Sequence, residues 1–328
     1  MLATEYKESL FRYMMDMLWQ QWTQLGVLGH DRGDDSKLIL DPEALLVFSA
    51  FFCRYDQRLF DLMSDWLLSY HSLLNIPRLK SLQRKAKITD KASLGYLAAV
   101  CADRGDKRWE TLAKQWASDD IEEPRLMFGD PFGESSPYVR IQDAAALRYG
   151  YIRHEYQPSG KVLRCLPQNR STMLLTMRAL VGGGARAEVL LLLWLTGGCR
   201  ILELVRRGGY ARSTIQDVLD ELLIGNMVSA IPEGKCSMYY MLKQPEFFGA
   251  LPGFLPSFFP NWPCWFDALG MLWLGISNPR FAKVSEITFR GEVARLLREI
   301  VHPAWFKSGM QAAFGEQKPF PGELFCDV

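Results

Sequence analysis

The chain has 328 residues, 48% of them hydrophobic and 23% charged, with a formal net charge of +1. This is the composition of a folded protein with enough apolar material for two or three domains. The near-zero balance excludes a global positive field, so any contact with nucleic acid has to come from a local patch.

Seven cysteines (Cys53, Cys101, Cys165, Cys199, Cys236, Cys264, Cys326) form no CxxC pair and no metal-ligand spacing. They read as free or buried thiols in a reducing cytoplasm rather than as a disulfide framework. The N-terminal MLATEYKESLFRYMM mixes acids and bases and has no apolar signal core. The apolar run Val189 to Leu195 is far shorter than the roughly 20 residues of a membrane span. The longer run from Leu251 to Ile276 is interrupted by Pro252, Pro256, Pro260, Pro263 and Asp267. No transmembrane helix is expected, and the localisation expected is cytoplasmic.

In chain order, residues 1 to about 28 read as one amphipathic helix, with Leu10, Met14, Leu18, Trp22 and Leu25 on one face. The loop from Gly29 to Asp35 holds His30, Asp31, Asp34 and Asp35 but has no second ligand-rich segment to answer it, so it reads as a solvated turn rather than a metal site. Asp41-Pro42-Glu43 starts a helix running to about Arg54. A second spans about Asp56 to His71, and a third begins near Asn75 with Leu79 and Leu82 inward. Arg78, Lys80, Arg84, Lys85 and Lys87 are placed on its other faces. These three helices fit either a bundle with a solvated basic face or a second, degenerate helix-turn-helix adding DNA contacts. Further helices are expected at about Ala92 to Asp103 and Lys107 to Ala117, completing a helical domain over 1–118.

From Asp119 to about Arg140 turn chemistry prevails, and helices at Ile141 to Tyr151 and Asn169 to Leu180 follow, so 119–181 reads as linker and connecting helices. The Gly182-Gly183-Gly184 run fits a hinge; it matches neither GxxxxGK[ST] nor GxGxxG. The next stretch, 182–243, has the clearest organisation. An apolar helix ends at Gly197-Gly198, and a short helix runs from Arg200 to Arg207. After the Gly208-Gly209 turn comes a third helix, from about Ser213 to Ile224. Two strands joined by Pro232-Glu233-Gly234-Lys235 close the unit. Helix, helix, turn, helix, hairpin is the order of a winged helix-turn-helix with a two-stranded wing.

In the third helix Ile215, Val218, Leu219, Leu222 and Leu223 form the packing stripe. Residues near the start of such a helix reach base edges in a major groove. Arg212 offers paired donors to guanine, Gln216 can pair with adenine, and Ser213 and Thr214 suit phosphate or base. Arg206 and Arg207 could lie along the backbone, and Lys235 occupies the wing tip. Tyr239 and Tyr240 alternate along the returning strand, so one is expected inside and one outside. Residues 244–328 are expected to form an aromatic-rich helical region, with helices at Trp265 to Leu274 and Arg290 to Ile300 and a loop-like tail beyond Pro303. Its Phe247, Phe248, Phe254, Phe258, Phe259, Trp262, Trp265, Phe266 and Trp273 read as core, and any exposed part as a dimer or partner surface. The fold class expected is therefore mainly α.

The segment GGYARSTIQDVLDELLIGNMV resembles the turn and recognition helix of bacterial winged helix-turn-helix transcription regulators, over roughly residues 186 to 242. The resemblance puts Arg212, Ser213, Thr214, Gln216 and Asp217 at base-facing positions and Lys235 on the wing. More widely, DPEALLVFSAFFCRYDQRLFDLMSDWL, PRLKSL and ARAEVLLLLWL are similar to stretches of uncharacterised bacterial winged-helix proteins, some linked to nucleotidyltransferase-type toxin–antitoxin loci. What this implies is a regulator binding double-stranded DNA as a homodimer.

Between Gly198 and Lys243, however, Arg200, Arg206, Arg207, Arg212, Lys235 and Lys243 face Glu203, Asp217, Asp220, Glu221 and Glu233, a net of about +1. Such balance predicts weak phosphate contact from one module alone. The alternative is a protein-interaction module, an antitoxin or adaptor that uses the winged helix for packing. Catalysis is not expected: His30, His71, His154 and His302 fall in no HExxH, GxSxG is absent, and no motif names a cofactor or metal.

Overall fold

The computed structural model describes residues 3–30, 37–117, 123–132, 139–233, 237–251, 253–255 and 257–314. The protein is mainly helical, with two small sheets among the described residues, and its chain divides into two units. One comprises Met15–Gly33 and Pro42–Pro167; the other comprises Met1–Met14, Asp34–Asp41 and Gln168–Val328. The division falls inside the first helix, α1 (Ala3–Gln24).

The first unit is built from short helices that local capping defines. α2 (Pro42–Phe52) is apolar on nearly every side and is buried along almost its whole length. In α3 (Gln57–Tyr70) the Asp56 carboxylate accepts from the Leu59 amide. Asn75 does the same for Arg78 at the start of α4 (Ile76–Lys85), and Asp90 for Ser93 in α5 (Lys91–Ala102). Asp106 accepts from Arg108 in α6 (Lys107–Trp116). Each cap satisfies an amide that the helix itself leaves without a partner. The core is aromatic: Trp22 and Trp66 meet edge to face at 5.3 Å, and the Trp22 indole donates to Ser49 Oγ at 2.9 Å.

Residues 125–156 differ from the expected linker-and-helix pattern. β1 (Arg125–Leu126) pairs in parallel with β2 (Tyr151–Ile152), and the expected helix over 141–151 shrinks to α7 (Ala144–Leu147), capped by Asp143. Buried Tyr151 and Arg153 anchor this stretch. Tyr151 donates to Asp90 at 2.5 Å, and Arg153 to Asp61 at 2.6 Å.

In the second unit a short helical turn at Arg170–Thr172 leads into α8 (Met173–Val181) and then α9 (Ala185–Thr196). β3 (Cys199–Arg200), α10 (Ile201–Gly208), α11 (Arg212–Ile224), β4 (Val228–Glu233) and β5 (Ser237–Leu242) follow. After α12 (Glu246–Gly249) come α13 (Trp262–Ile276) and α14 (Glu286–Leu296). A π-helical segment at Leu297–Val301 leads to α15 (His302–Ser308) and α16 (Met310–Phe314). The part of the expected loop from Pro303 to Phe314 is thus largely helical, and the rest of that tail lies outside the described residues. Pro303 stands in the first turn of α15, directly after the π-helical segment.

Of the crowded C-terminal aromatics, Phe248, Phe254, Phe259, Trp262, Trp265, Phe266 and Trp273 are buried, whereas Phe247 is exposed. Trp262 stacks on Phe266 at 5.2 Å and donates through its indole to the Ile39 carbonyl at 2.7 Å. Phe11 packs on Trp273 at 5.5 Å. No helix among the described residues is long and apolar enough to cross a membrane.

Candidate nucleic-acid interface

The unit from α9 to β5 gathers the residues singled out in its sequence. β4 and β5 are antiparallel from Val228↔Leu242 to Glu233↔Ser237, and β3 joins the far edge of β5, giving the sheet order β3-β5-β4. Two glycines make the close turns. Gly198, at φ +129°, lies where a Cβ would fall 2.7 Å from the Tyr239 ring and from the Tyr240 carbonyl. Gly209 ends α10 in the left-handed region at φ 76° and swings the chain into α11.

α11 packs through Ile215, Leu219 and Leu222, all buried, while Arg212, Ser213, Thr214, Asp217 and Asp220 are exposed and Gln216 is half-buried. Its first turn is open. Ala211 precedes it in extended conformation, and no side chain caps the leading amides. Uncapped amides at the positive end of a helix dipole favour an anion, and Arg212, Ser213 and Thr214 are exposed at this end.

The other cations of the unit are mostly engaged. Arg200 bonds Glu233 at 2.7 Å and holds that carboxyl below its usual range. Arg207 pairs with Glu203 at 3.1 Å and lies over the Phe258 ring at 5.8 Å, so it is directed into the protein rather than along a backbone. Arg186 pairs with Glu221, and the Lys243 ammonium donates to Asn226. Arg206 is exposed, its carbonyl accepting from Asn261 at 3.4 Å, and neither Arg206 nor Arg212 enters an ion pair among the described residues. Lys235 at the hairpin tip lies outside the described residues.

Two arrangements in this unit escaped the sequence reading. The Gln216 amide nitrogen donates to Asp220 Oδ1 at 2.8 Å, one helical turn on. Beneath the turn, Arg178 and Glu188 form a fully buried ion pair at 2.5 Å, and the Tyr210 hydroxyl donates to the same Glu188 oxygen at 2.8 Å. The residue entering α11 is thereby fastened to α8 and α9. An acid immediately before the apolar run VLLLLW is the sequence signal for Glu188; i,i+4 spacing is the signal for Asp220. Tyr240 is buried, and half-buried Tyr239 donates to the Gly198 carbonyl at 2.7 Å, the alternation expected of the strand. Burial pushes the Cys199 thiol up to about 11.

The second basic segment belongs to the other unit and is corrected in one respect. Arg78 is buried, its guanidinium 2.8 Å from Glu43 with both side chains fully enclosed, so it belongs to no exposed basic face. Glu43 also accepts from the Asn75 amide at 2.7 Å. The start of α4 is therefore sealed, and α4 cannot present its N-terminal end as a recognition helix does. Lys80 is half-buried, and Arg84, Lys85 and Lys87 are exposed at the opposite end. Among the described residues no group of three or more His, Cys, Asp or Glu could hold a metal ion.

No protein-family model, curated protein or solved structure matches the chain.

Proposed function

We propose that residues 185–242 form a winged helix-turn-helix and that the protein is a regulator binding double-stranded DNA through α11. The observation that carries the reading is the open, uncapped start of α11, where Arg212, Ser213 and Thr214 are all exposed. The order helix, strand, helix, turn, helix, hairpin, with the strand between the first two helices pairing to the last, supports the fold.

With Arg200 and Arg207 occupied, the phosphate contacts of each module fall to Arg206, to the open start of α11 and, on the sequence expectation, to Lys235. Neutralising two or three phosphates gives a salt slope of about −2 to −3 per module. Useful affinity then requires a homodimer, whose half-sites lie about 34 Å, one helical turn, apart. Fluorescence anisotropy on duplexes from the protein's own upstream region, over a salt series, tests this. A slope of about −4 to −6 for the bound species indicates two modules. Absence of any salt-sensitive binding up to tens of micromolar removes the reading.

A second reading, a protein-binding module of antitoxin or adaptor type, is favoured by exposed apolar side chains in the same region. Ile224 is 87% exposed, Ile231 51% and Leu202 64%. Co-purification of a stoichiometric protein partner, free of DNA, decides for it.

A further inference from the structure

Gln216 and Asp220 point to the base that α11 selects. We propose that Asp220 is a positioning residue that fixes the Gln216 amide for a paired contact with adenine; the inference rests on the DNA-binding reading above.

A glutamine alone at a DNA-facing position discriminates poorly. Its terminal amide turns freely, so it can donate to guanine, accept from cytosine or do both with adenine. Here that freedom is removed. The Gln216 nitrogen donates to Asp220 Oδ1 at 2.8 Å, so the nitrogen faces the later turn of α11 and the carbonyl oxygen faces away from it. One N–H is spent on Asp220. The remaining N–H and the oxygen are a donor and an acceptor side by side, the complement of adenine N7 and the adenine 6-amino group.

Charge acts in the same direction. Asp217 and Asp220 are both exposed on the strip of α11 opposite Ile215, Leu219 and Leu222. Carboxylates beside the reading amide repel bases that present only acceptors to the groove at that edge, guanine through O6 and N7 and thymine through O4. An amino group is favoured, and the fixed donor–acceptor pair favours adenine over cytosine.

The arrangement also explains why acids stand on a surface meant for DNA. Asp220 weakens attraction to every phosphate nearby while sharpening the choice of base, so affinity and discrimination should move in opposite directions when it is removed.

Selection from a random duplex library with the full-length protein, its Gln216→Ala and its Asp220→Ala variants tests this. The position whose preference Gln216→Ala abolishes identifies the base read by Gln216. The expected base is adenine, preferred by roughly tenfold to a hundredfold over the others. Asp220→Ala should lower that preference to about threefold or less, while binding to unrelated duplex strengthens by about twofold to threefold. Asp220→Asn keeps an oxygen acceptor for the Gln216 amide and should restore the preference. Asp220 is exposed, so neither Asp220 variant disturbs the core.

Another base at that position overturns the proposal, as does retention of the adenine preference in Asp220→Ala. Loss of preference in Asp220→Asn equal to that in Asp220→Ala does so too. If the wild-type protein enriches no sequence, the DNA-binding reading itself falls and takes this inference with it. If the wild type enriches a motif whose Gln216 position ignores Asp220, only the inference falls.

Discussion

The starts of α4 and α11 follow similar sequence cues and end in opposite states. Each follows two helical segments, and each carries an arginine in its first turn. At α4, Asn75 caps the first turn, Glu43 bonds the Asn75 amide, and Arg78 lies fully enclosed against Glu43. At α11 the preceding residue is Ala211, no side chain caps the helix, and Arg212 is exposed. A helix start is an anion site only while its amides remain available. One start is closed by the protein's own side chains and contributes stability. The other is left open, and on the proposed DNA-binding reading it contributes a binding surface.

Opening the closed start should give the largest effect. Glu43→Ala removes the carboxylate facing a fully buried guanidinium, and breaking such a pair from one side costs about 3–5 kcal/mol. Urea unfolding should show a lowered midpoint for the transition that α4 reports. Replacing both partners together, Glu43→Leu with Arg78→Met, should recover most of the loss, because no buried charge then remains. A double variant no more stable than Glu43→Ala would show that the geometry of the pair, not its charge, holds α4.

The turn into α11 comes next. Tyr210→Phe removes one hydrogen bond from the buried Glu188 carboxylate and should cost about 1–3 kcal/mol of stability. It should also lower DNA affinity, because the Tyr210 contact sets how α11 leaves the turn. Arg212→Ala should behave differently. It should weaken specific DNA binding by about 1–3 kcal/mol while leaving the unfolding midpoint within about 0.5 kcal/mol of wild type. Equal losses of affinity at specific and unrelated duplexes would reassign Arg212 from base to phosphate.

The same contrast shows what could be read in the sequence. The helices starting after Asp56, Asn75, Asp90 and Asp106 were legible because a cap and the apolar positions that follow it are local signals. The burial of Arg78 was not, since a charged residue at helical spacing reads as solvated and its partner Glu43 lies 35 residues away. The two-residue strands β1 to β3 are too short to carry an alternating pattern. The helix expected over 141–151 failed because Tyr151 and Ile152 find a strand partner in Arg125 and Leu126, a pairing that no local signal announces. At the candidate site, the exposed face of α11 follows from its period. Which cations are occupied does not, because the Arg200–Glu233 bond spans 33 residues and forms only once β3 joins the sheet.

The smallest predicted effects are the most direct test of the contrast, because they exchange the two starts. Ala211→Asn supplies α11 with the cap that α4 has, and the extended conformation of Ala211, φ −65° and ψ 149°, suits an N-cap. The helix should gain about 1 kcal/mol. The asparagine oxygen then occupies an amide otherwise offered to a phosphate, so DNA affinity should fall by a few-fold, about 0.5–1 kcal/mol. The reciprocal change, Asn75→Ala, should cost about 1 kcal/mol of stability and leave DNA binding unaltered. Thermal melts and anisotropy at one fixed salt concentration separate the two outcomes. A capped α11 that is more stable and binds DNA as well as wild type would mean that its first amides never meet a phosphate, and the weight of binding would shift to the Arg212 and Gln216 side chains.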